Sequence, residues 1–346
     1  MVVVGAGSFG TAVALLLERA ELRTTLLCRT VEQAERLIRE RENSHYLPGV
    51  ALPERLRIGA LGTSDDQFAR ADLVFLAVPS PGIGLALAEV VRQGVPPSAG
   101  VISLAKGLVP PTGTPPTIAL EQAFGSDRVA CVGGPSHARE MIESGAGLIS
   151  ASRSEQLAHR VAEVFQRAGL VCEVSSDPVG VELAGCAKNA AALAAGATER
   201  QGLNAAGMAA GDIFTEVLAL ARRAGGRSAT FVGRAGTGDL VATALAPASR
   251  NHTAGKLLAE GVPAAEIPGR LGQACEALET VPLLAYALER AGLDAPVLSA
   301  LSRLIHGTLP LEDWVRLVRV HQPEPERFRG RVAASIRRWR GLDPRR

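Results

Sequence analysis

The sequence predicts an α/β protein, with a doubly wound sheet in its N-terminal half and an all-α domain after it. Three observations predict this. Short apolar runs alternate with helix-like stretches through the first half. A glycine pattern separates the first run from the first helix. After about Pro178 strand-like runs become scarce, and Ala, Leu, Gly, Glu and Arg dominate.

The apolar runs cover residues 2–4, 24–28, 73–78, 100–104, 129–132, 148–150 and 171–174. Each is short and rich in Val, Ile or Leu, and most do not alternate strictly. Strands buried on both faces of a parallel or mixed sheet read this way. Residues 10–19 and 156–167 read as helices between them. In the second half, helices are expected over 181–195, 209–224, 254–259, 275–291 and 297–306. No internal repeat or low-complexity linker interrupts the chain. The boundary is expected as a direct strand-to-helix passage near Ser175 to Gly180, giving domains over 1–178 and 179–346.

Composition agrees with two domains. A chain of 346 residues is long for one compact unit, and its 47% hydrophobic content supplies a sizeable core. A net charge of +2 gives no reason to expect nucleic acid as a partner. From about Glu326 to Arg346 the chain is Arg-rich, which reads as a solvated helix and frayed tail. The five cysteines form no C-x-x-C pair, which fits a reducing compartment better than a disulfide framework or a zinc site. No apolar run reaches the ~18 residues of a membrane span. The chain begins directly with Val2-Val3-Val4, without a basic leader or cleavage signature, so a cytoplasmic location is expected.

The first run continues as Gly5-Ala6-Gly7-Ser8-Phe9-Gly10 and then a helix. Gly5 permits a tight turn, Gly7 lets backbone approach a pyrophosphate, and Gly10 allows close helix–strand packing. The helix start adds free N–H groups and its positive dipole end. In this context the pattern points to a Rossmann-type dinucleotide site. The second run ends Leu27-Cys28-Arg29-Thr30, with no acid to hold a ribose hydroxyl. Arg29 would instead pair with a 2′-phosphate, favouring NADPH over NADH. The alternative is a solvated Arg on a loop.

Lysine is scarce, which draws attention to Lys106, Lys188 and Lys256. Lys106 follows a strand, at the sheet edge where open α/β folds bind ligands. Lys188 lies within an otherwise apolar helix. Burial or a second cation lowers a lysine pKa, so Lys188 could exchange a proton near neutral pH. It could equally snorkel from a helix edge. The residue pattern leaves both open.

Eight motifs, taken in order, resemble the NAD(P)-dependent glycerol-3-phosphate dehydrogenases nearly end to end. They are Gly5 to Ala12, Asn43 to Val50, Ala77 to Ser80, Ala105 to Leu108, Gly133 to Glu140, Gly185 to Asn189, Arg234 to Leu240 with Ser249-Arg250-Asn251, and Gln273 to Glu276. The resemblance implies reduction of dihydroxyacetone phosphate to glycerol 3-phosphate, with Lys188 as proton donor and acceptor. It implies that Lys106 reaches both cofactor and substrate, and that Gly134, Ser136 and Asp239 line the substrate site. Ser249, Arg250 and Asn251 would hold the phosphate, with Arg250 also near the cofactor. Ser8, Phe9, Arg29, Ala138 and Glu276 would contact the dinucleotide. A homodimer is implied by family habit alone.

The chemistry is consistent with these roles. A nascent alkoxide needs a proton, and a second ammonium at Lys106 would lower the Lys188 pKa and stabilise the oxyanion. Asp239 would orient a lysine or a substrate hydroxyl, unless it simply shapes a turn. The run at Ser249 precedes a helix, as an anion seat or as a plain N-cap.

The chain also departs from the family. Ala206 and Asp212 stand where basic residues are usual. Thr237 replaces a Leu, and Arg234 an apolar residue. These departures leave room for another phosphorylated ketone or a small oxo acid as substrate. A non-catalytic NADPH-binding sensor is a further reading, but a sensor needs no proton donor.

Overall fold

The computed structural model describes residues 1–64, 66–246 and 249–322. The Arg-rich stretch from Glu326 and the last part of the second domain lie outside them. Eight strands form one sheet: β1 (Val2–Val4), β2 (Thr25–Cys28), β3 (Arg57–Ala60), β4 (Leu73–Leu76), β5 (Gly100–Ser103), β6 (Val129–Gly133), β7 (Gly147–Ser152) and β8 (Val171–Ser175). Their order is β3-β2-β1-β4-β5-β6-β7-β8. Only β6 and β7 run antiparallel to each other; the other paired strands are parallel. All residues of β4 and β5 are buried, as both-face coverage by helices demands.

Six helices accompany the sheet: α1 (Ser8–Arg19), α2 (Val31–Glu40), α3 (Ile83–Gln93), α4 (Pro116–Phe124), α5 (Ala138–Glu143) and α6 (Glu155–Arg167). On one face Val13 and Leu16 of α1 and Val161 and Phe165 of α6 pack on Leu26, Phe75 and Ile102. Phe75 and Phe165 meet edge to face at 5.9 Å. On the other face Ile83 and Val90 of α3 and Leu120 of α4 cover Val74, Leu76 and Val101.

The chain then becomes helical: α7 (Pro178–Thr198), α8 (Leu203–Arg223), α9 (Ser228–Val232), α10 (Asp239–Leu245), α11 (Arg250–Ala259), α12 (Ile267–Leu271), α13 (Glu276–Arg290), α14 (Pro296–Ile305) and α15 (Leu311–Val320). Their core extends onto Cys131, Ile149 and Ala151 of β6 and β7, so the two halves share packed surface.

The expected strands are all present, with ends within a residue or two. β3 carried no recognisable signal. It is a short edge strand with an exposed Arg57 and a central Gly59, and so has little apolar pattern to read. The shorter helices α2 to α5, α9, α10, α12 and α15 were not marked either. In α2 only Ala34 and Leu37 are buried, too few for a clear period.

Helix α7 is the axis of the second half. Asp177 caps it, its Oδ1 accepting from Gly180 N at 2.8 Å, and Pro178 occupies the first turn. Every α7 residue is buried except Lys188 and Ala195. A Cβ on Gly255 would collide with the Leu193 carbonyl, so glycine there lets α11 lie directly against α7.

By length and a mean hydropathy of 1.2, α8 passes the test for a bilayer-crossing helix, which the sequence reading did not anticipate. One face of it lines the helical core, and 39% of its apolar window is buried. Ala209, Ile213 and Val217 are buried in the helical core. The buried Glu216 carboxyl accepts from Val297 N at 3.0 Å and Leu298 N at 2.8 Å, capping α14.

Candidate active site

Parallel strands deliver their following loops to one edge of a sheet. Here that edge gathers Gly5 after β1, Arg29 after β2, Ser80 beyond β4, Lys106 after β5 and Gly134 after β6. The site is built along it.

At β1 the glycines act as the spacing implies. Gly5 has φ +110°, and a Cβ there would come 2.6 Å from the Ala77 carbonyl oxygen. A Cβ on Gly10 would collide with the Gly5 carbonyl. Nothing lies within 4 Å of where a Gly7 Cβ would stand, so the approach to the start of α1 is open. No side chain caps that start, leaving its first N–H groups for a ligand. A dinucleotide pyrophosphate fits this cradle.

The cradle is braced from outside. Buried Asn43 donates from Nδ2 to Ala6 O at 3.0 Å and to Thr11 Oγ1 at 2.7 Å. Ser8 Oγ donates to Tyr46 O at 2.8 Å, and Arg139 of α5 reaches Pro48 O. The sequence shows Asn43 only inside a resembling motif, with no local signal that it braces the glycine loop. Phe9 and Ala138 are half-buried, packed on the same cluster beneath the loop. Arg29 is exposed at the tip of β2, and no side-chain partner engages its guanidinium among the described residues. The open loop suits an NAD(P) dinucleotide.

Further along the edge three charged groups meet. Lys106 Nζ lies 2.6 Å from Asp239 Oδ2, 2.9 Å from Gly134 O and 3.2 Å from Ser136 Oγ. Lys188 Nζ lies 3.5 Å from Asp239 Oδ1 and donates to Thr243 Oγ1 at 3.1 Å. Asp239 is 1% exposed, and Lys106 and Lys188 only 15% and 12%. The carboxylate lies between two ammoniums, Lys188 from its own half of the chain and Lys106 from the other, brought in where α10 follows a π-helical turn at residues 234–238.

Burial, then the charge of Lys106, lowers the Lys188 pKa to about 8, against the opposing pull of Asp239 and Glu276. Burial works against ionised Asp239, but the charges of Lys106 and Lys188 outweigh it and hold its pKa below the usual carboxylate value. Asp239 is therefore ionised at neutral pH, and Lys188 carries a proton poised for transfer.

Asn189, next to Lys188, ties the surroundings together. Its Nδ2 donates to Lys106 O at 3.0 Å and to Glu276 Oε2 at 3.4 Å, and its Oδ1 accepts from Asn251 Nδ2 at 2.8 Å. Asn251 Oδ1 in turn accepts from Ala277 N at 3.3 Å. Thr243 and Asn189 escaped sequence reasoning as site residues. Only the position of Asn189 beside Lys188 could have flagged it.

The structure thus joins Lys106, Lys188, Asp239, Gly134 and Ser136 directly, and Asn251 and Glu276 through Asn189. Ser249 Oγ accepts from His252 N at 3.4 Å, capping α11. Arg250 is exposed and donates to Gln273 Oε1 at 3.1 Å and Ala274 O at 3.3 Å, at the rim rather than in the cluster. Arg234 pairs with Glu173 of β8 at 2.7 Å. Thr237 Oγ1 donates to Phe231 O at 3.0 Å within its own turn. Ala206 and Asp212 lie half-buried along α8.

Comparison with known proteins places this architecture. Residues 1–158 match the family model for the NAD-dependent glycerol-3-phosphate dehydrogenase N-terminus, and residues 177–316 that for its C-terminus. A glycerol-3-phosphate dehydrogenase [NAD(P)+] of Deinococcus radiodurans is 37% identical over 324 residues, 91% of this chain and 93% of that protein. That of Thermus thermophilus is 36% identical over 329 residues, 94% of this chain and 99% of that protein. The crystal structure of glycerol-3-phosphate dehydrogenase from Coxiella burnetii superposes with a TM-score of 0.82 at 26% identity, covering 92% of this chain and 98% of that one. A ketopantoate reductase from Ralstonia eutropha shares the fold alone, with a TM-score of 0.59 at 19% identity. With both halves matched in order and the lysine cluster at their junction, the chain belongs to the NAD-dependent glycerol-3-phosphate dehydrogenase family.

Proposed function

We propose that the protein reduces dihydroxyacetone phosphate to sn-glycerol 3-phosphate, reversibly, with NADPH or NADH as reductant. The observation that carries this is the Lys188–Asp239–Lys106 cluster. A helix buried along nearly its whole length opens at one polar residue, and that residue has a pKa of about 8.

A nicotinamide dinucleotide held in the cradle would supply the hydride that the ketone carbon needs. Lys188 gives its proton to the carbonyl oxygen as it becomes a hydroxyl, and takes one back in the reverse direction. Lys106 reaches the same space and stabilises negative charge on that oxygen. Asp239 holds both ammoniums, and Gly134 O and Ser136 Oγ fix the Lys106 rotamer. Asn251, with Ser249 and Arg250, seats the phosphate at the start of α11. Glu276, bonded to Asn189, would contact the cofactor. Ser8, Phe9, Gly10 and Ala138 surround the dinucleotide cradle, and Arg29 takes the 2′-phosphate, so NADPH is preferred.

The same reading divides the chain at the passage from β8 to α7, into a dinucleotide domain over 1–178 and a substrate domain beyond it. It includes a homodimer and a cytoplasmic location. Loss of NADPH absorbance with purified protein and dihydroxyacetone phosphate, with NADH in parallel, tests the activity. Rapid oxidation is the expected result. NADPH binding without turnover would redirect the search to other phosphorylated ketones and small oxo acids.

A further inference from the structure

One polar side chain beside the lysine cluster has no task in the scheme above. His137 lies between Ser136, whose hydroxyl meets Lys106, and Ala138, which begins α5. Its backbone is extended, at φ −67° and ψ 123°, and its carbonyl accepts from Met141 N at 2.8 Å. The backbone is therefore held, while the imidazole plays no part in capping the helix. The ring is half-buried, and among the described residues neither nitrogen has a hydrogen-bond partner. The half-exposed ring nitrogens are therefore open to a hydrogen bond from a ligand.

The charges that act on the ring come from four elements. Lys188 projects from α7, Lys106 follows β5, Asp239 opens α10, and Glu140 lies one turn on along α5. Burial first, and then the Lys188 charge, lower the imidazole pKa below its ordinary value, with Glu140 and Asp239 pulling the other way. At neutral pH the ring is uncharged. It then offers one donor and one acceptor nitrogen. The acceptor suits a hydroxyl and not a phosphate.

We propose that His137 is a substrate-recognition residue, its imidazole accepting a hydrogen bond from the hydroxyl that the phosphorylated ketone carries beside its carbonyl. This deepens the functional reading above and rests on it. The carbonyl must meet Lys188 and Lys106, and the hydroxyl on the neighbouring carbon then falls near His137, which directly follows the Ser136 that touches Lys106. Protonation of the ring removes the acceptor and places a third cation beside two ammoniums, so recognition weakens as pH falls through the His137 pKa.

The test compares dihydroxyacetone phosphate with hydroxyacetone phosphate, the same ketone without that hydroxyl, in the parent and in His137→Phe and His137→Asn. The parent is expected to favour the hydroxylated substrate in kcat/KM by roughly tenfold, the range of one neutral hydrogen bond. His137→Phe should erase most of that preference by raising KM for the hydroxylated substrate, with NADPH Kd unchanged. His137→Asn, which restores an acceptor, should recover part of it. The acid limb of the parent's kcat/KM profile should be missing in the Phe variant. An active parent whose preference survives His137→Phe overturns this inference alone, as does a matching loss in NADPH affinity. A parent that binds NADPH and turns over neither ketone overturns the functional reading, and this inference with it.

Discussion

Lys188 Nζ stands 3.5 Å from Asp239 Oδ1, while Lys106 Nζ approaches the other oxygen of the same carboxylate to 2.6 Å. The longer contact matters chemically. Lys106 is firmly paired; Lys188 is held in place but keeps a proton that burial and Lys106 make easier to release. One carboxylate thus distinguishes two ammoniums, one fixed and one reactive.

The first consequence concerns pH and the reaction direction. Reduction needs protonated Lys188, and its pKa is lowered to about 8. The reduction kcat should therefore fall as pH rises through that value, while oxidation of glycerol 3-phosphate, which needs the neutral amine, should gain. Lys188→Ala should lose about 10²-fold or more in kcat, the usual contribution of general acid–base catalysis, with NADPH binding intact. Near-parental turnover would remove Lys188 from the mechanism.

Asp239→Asn removes the shared counter-ion and leaves two ammoniums facing each other. Asp239 raises the Lys188 pKa, so its loss lowers that pKa further. The basic limb of the reduction profile should move to lower pH, and kcat/KM should drop by about 10²-fold, the scale of a lost buried charge partner. A basic limb that stays in place would mean that Asp239 does not act on Lys188.

Arg29 has an exposed guanidinium at the tip of β2 with no side-chain partner among the described residues. Arg29→Ala should weaken NADPH by about tenfold or more, as expected for charge-assisted bonds to a phosphate, and NADH only slightly. Dissociation constants measured for both cofactors decide it. Equal weakening would show that Arg29 does not read the 2′-phosphate.

Glu182 offers a stability test away from catalysis. It is buried in α7, and its carboxyl accepts from Thr117 N at 2.9 Å and Thr117 Oγ1 at 2.6 Å, joining α7 to the start of α4. Burial raises its pKa to about 8, against the lowering effect of both Thr117 bonds. A folded pKa raised above the unfolded value means stability is fully present below the unfolded pKa of 4.5 and is lost as pH rises towards 8. Glu182→Gln cannot ionise. Denaturant unfolding should find it close to the parent in acid and relatively more stable as pH approaches 8. A pH-independent difference would contradict this account.

The sheet was legible because buried parallel strands write themselves as short apolar runs, and the glycine loop because its spacing answers a backbone requirement. The edge strand β3 was not, since a strand covered on few sides needs few apolar residues. The Lys106 and Lys188 positions stood out by rarity in an Arg-rich chain. Asn43, Asn189 and Thr243 did not, because a lone Asn or Thr looks the same whether it braces a loop, joins two helices or faces water. His137 was visible only as one letter of a motif.

By itself, then, the sequence determined the two-part architecture, the dinucleotide cradle and the candidate lysines, because those features are encoded by local periodicity and spacing. Only the tertiary structure decided that Lys106, Lys188 and Asp239 form one cluster. They lie far apart in the chain, and the pKa values of Lys188 and Asp239 depend on burial and on which charges stand within a few ångströms. The structure likewise turned Arg234 toward Glu173 and set Arg250 at the rim. The direction of a long charged side chain follows from the partners that folding supplies, and no local pattern records them.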